Sequence, residues 1–238
     1  MSVLRAAARL AALALVAAPT VAQAAASGAA VSTDVTRTAM ILVVLALLPT
    51  LIIAMTSFTR IVIVLAMVRH AFGMPETPPN SVLVSLALFL TMFSMGATAT
   101  QLHREAVQPY LADRITLDTA MERGAAPLRR FMLAQTRDRD IETIYRISRA
   151  PLPARPDQVE LMKLVPAFII NELRVSFTIG FVILLPFLLI DLVVSAILLA
   201  LGMMMVPPTT ISLPIKLLLF VLIDGWSLII VGVVGSFR

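Results

Sequence analysis

The sequence predicts a helical membrane protein, and three observations lead there. Apolar residues make up 59% of the 238-residue chain and charged residues only 14%, whereas soluble domains run at about 45–50% and 25%. Mean hydropathy is +0.96, and the excess lies in long runs, as membrane spans require. Between the runs, apolar positions recur at helical rather than strand spacing.

Taken in order, residues 1–24 read as a cleavable secretory signal peptide. Arg5 and Arg9 form its basic start, Leu10 to Ala18 its apolar stretch, and Ala22-Gln23-Ala24 the small-residue cleavage pattern after Pro19. Residues 25–38, rich in Ala, Ser, Gly and Thr, are expected to be a flexible segment, facing the periplasm after cleavage. The remainder, 39–238, reads as one polytopic helical domain. Apolar regions cover residues 39–72, 82–102, 175–201 and 213–234. At about 1.5 Å per residue the first would be roughly 50 Å long and the third roughly 40 Å, against a bilayer core of about 30 Å. Each holds a proline, Pro49 or Pro186, so kinked helices or hairpins are expected rather than upright spans. Pro75, Pro78, Pro79 and Asn80 predict a rigid turn after the first region.

A polar segment at about 103–173 separates the second and third regions. Pro127 suits the first position of a helix. Leu128, Phe131, Met132, Ile141, Ile144, Tyr145 and Ser148 follow at helical spacing among Arg, Asp and Glu. That pattern fits an amphipathic helix packing on its own protein or on a partner.

Four charges fall within or beside apolar regions: Arg60, Asp191, Lys216 and Asp224. A charge at the bilayer centre costs about 2.5–3.5 kcal/mol on insertion scales, so these must face protein, water or one another. A proton relay needs acidic groups or histidines in series. Here each long apolar region holds at most one acidic residue and no central histidine, which favours subunit assembly. Gly202 and the pair Pro207-Pro208 bracket Met203, Met204 and Met205. Three flexible, polarizable side chains at a helix break suit either core filling or a deformable seal.

Several function classes are disfavoured. The net charge of +5 comes without a dense basic cluster interleaved with aromatics, which are 6% of the chain, so no nucleic-acid partner is expected. With no cysteine and two isolated histidines, His70 and His103, neither a metal site nor a cofactor is expected. Neither Ser57 nor Ser176 has a recognisable base partner, so no catalytic residue is assigned and the protein is not expected to be an enzyme. An ion or solute transporter would show broken helices in repeated halves, and no repeat is found.

Motifs in series carry a resemblance. Met55-Thr56-Ser57-Phe58-Thr59-Arg60-Ile61-Val62-Ile63-Val64-Leu65 comes first, then Pro78-Pro79-Asn80, Leu86 to Thr91, Pro127-Leu128-Arg129 and Gln135-Thr136-Arg137. Pro166-Ala167-Phe168, Asn171-Glu172-Leu173, Gly202 to Met205, Ile211 to Lys216 and Asp224-Gly225-Trp226 follow. In this order the chain resembles the FliP family of type III protein export-gate subunits over about residues 40–237. The resemblance implies an all-α fold of membrane-associated helical hairpins with kinked helices, which assemble as five copies with FliQ and FliR into a conical gate in the bacterial inner membrane, at the flagellar basal body. It implies other export-apparatus components as partners and unfolded flagellar proteins as cargo. It further implies that Met203, Met204 and Met205 contribute to a pore gasket, and that Arg137, Glu172 and Lys216 bridge neighbouring subunits. A homologous subunit of a virulence secretion system is the alternative; the signal peptide and the Thr59 to Val64 motif favour the flagellar form. Asn171, where the family usually has Ser or Thr, and Arg174, where Lys is common, depart from the pattern.

Overall fold

A computed structural model describes residues 38–39, 42–43, 46, 49–51, 53–74 and 76–237. The expected signal peptide and nearly all of the segment to residue 38 lie outside them. The stretch from Thr50 onward forms one compact unit, and among its described residues all regular structure is helical.

Its spine is a single helix of 40 residues, Leu161–Ala200, about 60 Å long at 1.5 Å per residue. Eight further α-helices, counting from residue 58, complete the unit. In chain order they are α1 (Phe58–Ala71), α2 (Asn80–Ser94), α3 (Gly96–Leu102), α4 (Gln108–Leu111), α5 (Leu117–Gln135) and α6 (Asp138–Ile147); the spine is α7, followed by α8 (Thr209–Leu222) and α9 (Gly225–Val234). A π-helical turn, His103–Val107, joins α3 to α4.

Two apolar clusters hold this arrangement. In the larger, Ile61, Val64, Leu65 and Val68 of α1 meet Leu83, Ala87 and Leu90 of α2, Phe187 of α7, Phe220 of α8 and Ile229 and Val233 of α9. Phe72 stands edge-on to Phe187 at 5.2 Å and to Phe220 at 4.6 Å. The smaller cluster packs Met132 of α5 and Ile141 and Tyr145 of α6 on Leu164, Ala167 and Phe168 of α7. The polar segment therefore docks on the first third of the spine through α5 and α6, while α1 and α8 pack further along it.

Several breaks differ from those expected. The third apolar region begins as a helix at Leu161, not Val175, because Asn171, Glu172 and Arg174 are polar yet accommodated. The spine runs through Pro166 and Pro186 as one helix, whereas two sharp bends fall at non-proline sites. One, of 68°, separates α2 from α3 and the helical run that follows; the other, of 67°, separates α8 from α9. Near the first, the hydroxyl of Thr91 donates to the Ala87 carbonyl at 2.7 Å and that of Ser94 to the Thr91 carbonyl. Such back-bonding competes with the helix ladder and bends it. At the second, Asp224 adopts a left-handed conformation, φ 50°.

Pro127, expected to open a helix, sits inside α5. That helix opens instead at Thr116, whose hydroxyl accepts the Thr119 N–H, an ordinary N-cap. The amphipathic stretch is two helices, parted at Thr136-Arg137. Gly202, by contrast, ends the spine as its position suggests. Its φ is 72°, and the N–H groups of Gly202 and Met203 reach back to the carbonyls of Leu199 and Leu198 at 3.0 and 2.9 Å, a Schellman closure.

Gly225 lets the Phe220 ring lie against the start of α9; a Cβ there would sit 2.1 Å from two ring carbons, whereas a Cβ at Gly232 meets nothing within 4 Å. Gly225→Ala should therefore destabilise the fold by about 1–3 kcal/mol. Gly232→Ala should be neutral or stabilising by up to about 1 kcal/mol. Thermal unfolding of the two variants in detergent checks the contrast.

Candidate functional site

Arg60 lies on the buried face of α1, one residue before Ile61, and is 2% exposed; Glu172, on α7, is fully buried. Burial of either alone would be expensive, and their geometry answers the cost. Arg60 Nε donates to Glu172 Oε2 at 2.7 Å, and Nη2 donates to Oε1 at 2.5 Å. Nη1 donates to the Ser236 carbonyl at 3.1 Å and to its hydroxyl at 3.0 Å. Nη2 also donates to Gln135 Oε1 at 3.4 Å. A guanidinium has five N–H donors, and each finds an acceptor here. Asn171 Nδ2 donates to the Gln135 carbonyl at 2.8 Å and lies 3.5 Å from Glu172 Oε1. The Ser176 hydroxyl donates to the Glu172 carbonyl at 2.6 Å. One hub thus joins α1, the end of α5, α7 and the segment after α9.

A second pair lies further along the spine. Lys216 on α8 donates to Asp191 Oδ2 on α7 at 2.6 Å and to the Ala71 carbonyl at 3.2 Å. Ala71 is the last residue of α1, so the ammonium also caps an unpaired carbonyl at the negative end of that helix. A third pair fixes α6: Arg174 Nη1 and Nη2 donate to the two oxygens of the buried Asp140 at 2.7 and 2.6 Å.

The three charges expected to bridge subunits are not brought together within the chain. Glu172 is held by Arg60, and Lys216 by Asp191. Arg137 is exposed and lines a cleft of about 500 Å³ with Arg60, Gln135, Asn171 and Ser236. Asn171 Oδ1, buried beside this cleft, has no hydrogen-bond partner. Of the four charges flagged in apolar regions, Arg60, Asp191 and Lys216 are paired. Asp224 is exposed at the α8–α9 bend. Met203, Met204 and Met205 are 42%, 80% and 95% exposed in the turn after the spine. The roles of Ser236, Phe237 and the Asp140–Arg174 pair were missed; nothing in spacing marks residues that matter through contacts 176 positions apart, as for Ser236 and Arg60, or 34 apart, as for Asp140 and Arg174. Among the described residues, no group of three or more His, Asp or Glu could hold a metal ion.

One helix, Leu161–Ala200, is long and apolar enough to cross a membrane, and up to four spans result if each of three bent pairs is one, the third pair being Pro49–Met55 with α1. Most of the spine's apolar surface is uncovered: Phe181, Leu189, Leu192 and Leu199 are 56–67% exposed.

Comparison with known proteins gives a consistent result. The model of the FliP family matches residues 41–233. The chain is 49% identical over 201 residues to the flagellar biosynthetic protein FliP of Pectobacterium carotovorum subsp. carotovorum, covering 84% of this chain and 78% of that one. It is 44% identical over 198 residues to the FliP of Bacillus subtilis (strain 168), covering 83% and 90%. Against the FliP of Buchnera aphidicola subsp. Baizongia pistaciae it is 47% identical over 201 residues, but spans only 56% of that longer relative.

Removing one partner of a buried pair strands the other charge. Glu172→Ala should destabilise the protein by about 3–5 kcal/mol, whereas an apolar replacement of both, Arg60→Met with Glu172→Leu, should recover much of that loss. Denaturant unfolding in detergent would measure both; equal losses would contradict the pairing.

Proposed function

Because the chain belongs to the FliP family, we propose that it is a core subunit of the flagellar type III protein export gate. In this reading it helps to form the conduit through which unfolded rod, hook and filament subunits cross the inner membrane. The observation that carries it is the family match across residues 41–233, which includes every helix described above but for the last residue of α9.

The physical form of the chain supports the reading. A helix of about 60 Å with a largely uncovered apolar surface cannot rest in water, and it exceeds a bilayer core of about 30 Å. Its surface is suited to packing against further copies, five in all, and against FliQ and FliR. The charge hubs make each copy internally rigid, so assembly can proceed by docking preformed subunits. Arg137, exposed beside the cleft, remains free to engage a neighbouring copy.

Transport of an unfolded chain requires no covalent step, only an opening that admits varied side chains and closes afterwards. The turn that follows the spine offers suitable material. Methionine has three rotatable bonds and a polarizable sulfur, so Met203, Met204 and Met205 can deform around a passing segment and reseal. The mature N-terminus would face the periplasm, and energy would come from other components of the export apparatus.

Deletion of the gene should abolish hook and filament, seen by electron microscopy and soft-agar motility, with restoration by the intact gene. Normal flagella in the deletion strain would overturn the reading. Replacing Met203, Met204 and Met205 together by Ala should raise ion leakage through the assembled complex. Unaltered conductance in an intact assembly would remove the gasket role while leaving the family assignment in place.

A further inference from the structure

The charge hub has one wall that belongs neither to a core helix nor to the polar segment. Ser236 and Phe237 follow α9 and fold back onto Arg60. Ser236 contributes both its carbonyl and its hydroxyl to Arg60 Nη1, at 3.1 and 3.0 Å, while that hydroxyl donates to the Val233 carbonyl at 2.6 Å. The Phe237 ring lies under the guanidinium, 4.0 Å from centroid to Cζ. Its other neighbour is Phe131 of α5, stacked at 6.4 Å and 29°, and Phe131 in turn stands edge-on to Phe168 of α7 at 5.9 Å. The result is a column, Arg60–Phe237–Phe131–Phe168, that runs from α1 through the returning segment to α5 and α7.

We propose that Ser236–Phe237 is an intramolecular latch, seated on a site formed by Arg60 and Phe131, that keeps the Arg60–Glu172 pair dry and holds α5 against the spine. Two features make this more than a packed end. First, Ser236 satisfies two of the five guanidinium donors, so its departure would leave a buried cation short of acceptors, a costly state. Second, Ser236 and Arg60 both line the cleft that also carries Arg137 and the unpartnered Asn171 Oδ1. Unseating the segment would therefore open the guanidinium to the cleft and to whatever polar group enters it. The seated ring contributes a desolvated cation–π contact as well as apolar area, so an aromatic at 237 is required and not merely a bulky residue. This inference concerns the chain's own fold and stands independently of the export function.

The test uses the absence of cysteine from the sequence. Ser176, fully buried and hydrogen-bonded to the Glu172 carbonyl, is changed by Ser176→Cys in the full-length chain, extracted in detergent as its native assembly. The rate of labelling by a water-soluble maleimide then reports opening of the hub. Adding Phe237→Ala should raise that rate about fivefold or more, and Phe237→Tyr should leave it near the parent value. In the protein with Ser176 intact, hydrogen exchange provides a second reading: Phe237→Ala should accelerate the amides of residues 128–135 but not those of α8. Unchanged labelling and exchange in Phe237→Ala would overturn the latch. So would equal acceleration in α8, which would mean general loosening of the fold.

Discussion

A guanidinium buried among apolar helices admits few solutions, and the rest of the structure follows from the one adopted at Arg60. Its five donors must all be met within a shell of a few ångströms, so acceptors have to arrive from separate parts of the chain at the same point. They come from Glu172 on the spine, Gln135 at the end of α5, and Ser236 after α9. Apolar packing alone specifies position poorly in such a chain, since one leucine-rich face fits another in several registers. A buried polar contact does not slide. A buried pair is weak evidence of stability, because desolvation offsets much of the attraction; its value here is that it fixes which helices meet and where. Lys216 repeats the device further along, joining Asp191 to the end of α1.

With the first part of the spine fixed by the two charge clusters around Glu172 and Arg174, the remaining helices can leave apolar surface uncovered without the subunit losing its shape. The bent pairs illustrate this division. Neither α8, with 14 residues, nor α9, with 10, is long enough to cross about 30 Å of hydrocarbon by itself, yet both contribute buried side chains to the core shared with α1. In the proposed function, the exposed apolar area along α7 and in the methionine turn is the material for contact with other chains and with cargo. A rigid interior with a sticky, deformable exterior is what the proposed assembly would require.

Much of this was legible before the structure. Composition and run lengths announced helices and a membrane, and the cost of charge in hydrocarbon required that Arg60, Asp191, Lys216 and Asp224 face protein, water or one another; the first three are paired and Asp224 is exposed. Gly202 marked the end of the spine because only a left-handed residue closes a helix in that way. The identities of the partners were not legible, because Arg60 and Glu172 are 112 positions apart and a charge does not encode which opposite charge it will meet. One proline misled: Pro127, expected to open a helix, sits inside α5, and α7 runs on through Pro186 without a break. Bending came instead from the hydroxyls of Thr91 and Ser94 and from the left-handed Asp224. Polar Asn171, Glu172 and Arg174 hid the first 14 residues of the spine, because hydropathy reads a polar group as a boundary even where the fold buries or pairs it. Motif order identified the family, while the site's inner geometry had to be seen.

The central physical claim is that Glu172 is held by Arg60 of the same chain. Charge reversal separates this from a bridge between copies. A strain would carry either one chain with both Arg60→Glu and Glu172→Arg, or two co-expressed chains with one reversal each, and assembly would be followed by native electrophoresis of the extracted complex. Assembly restored by the doubly reversed chain, and not by the mixture of single reversals, is the expected result. Restoration by the mixture alone would place the pair between subunits and contradict the hub described here.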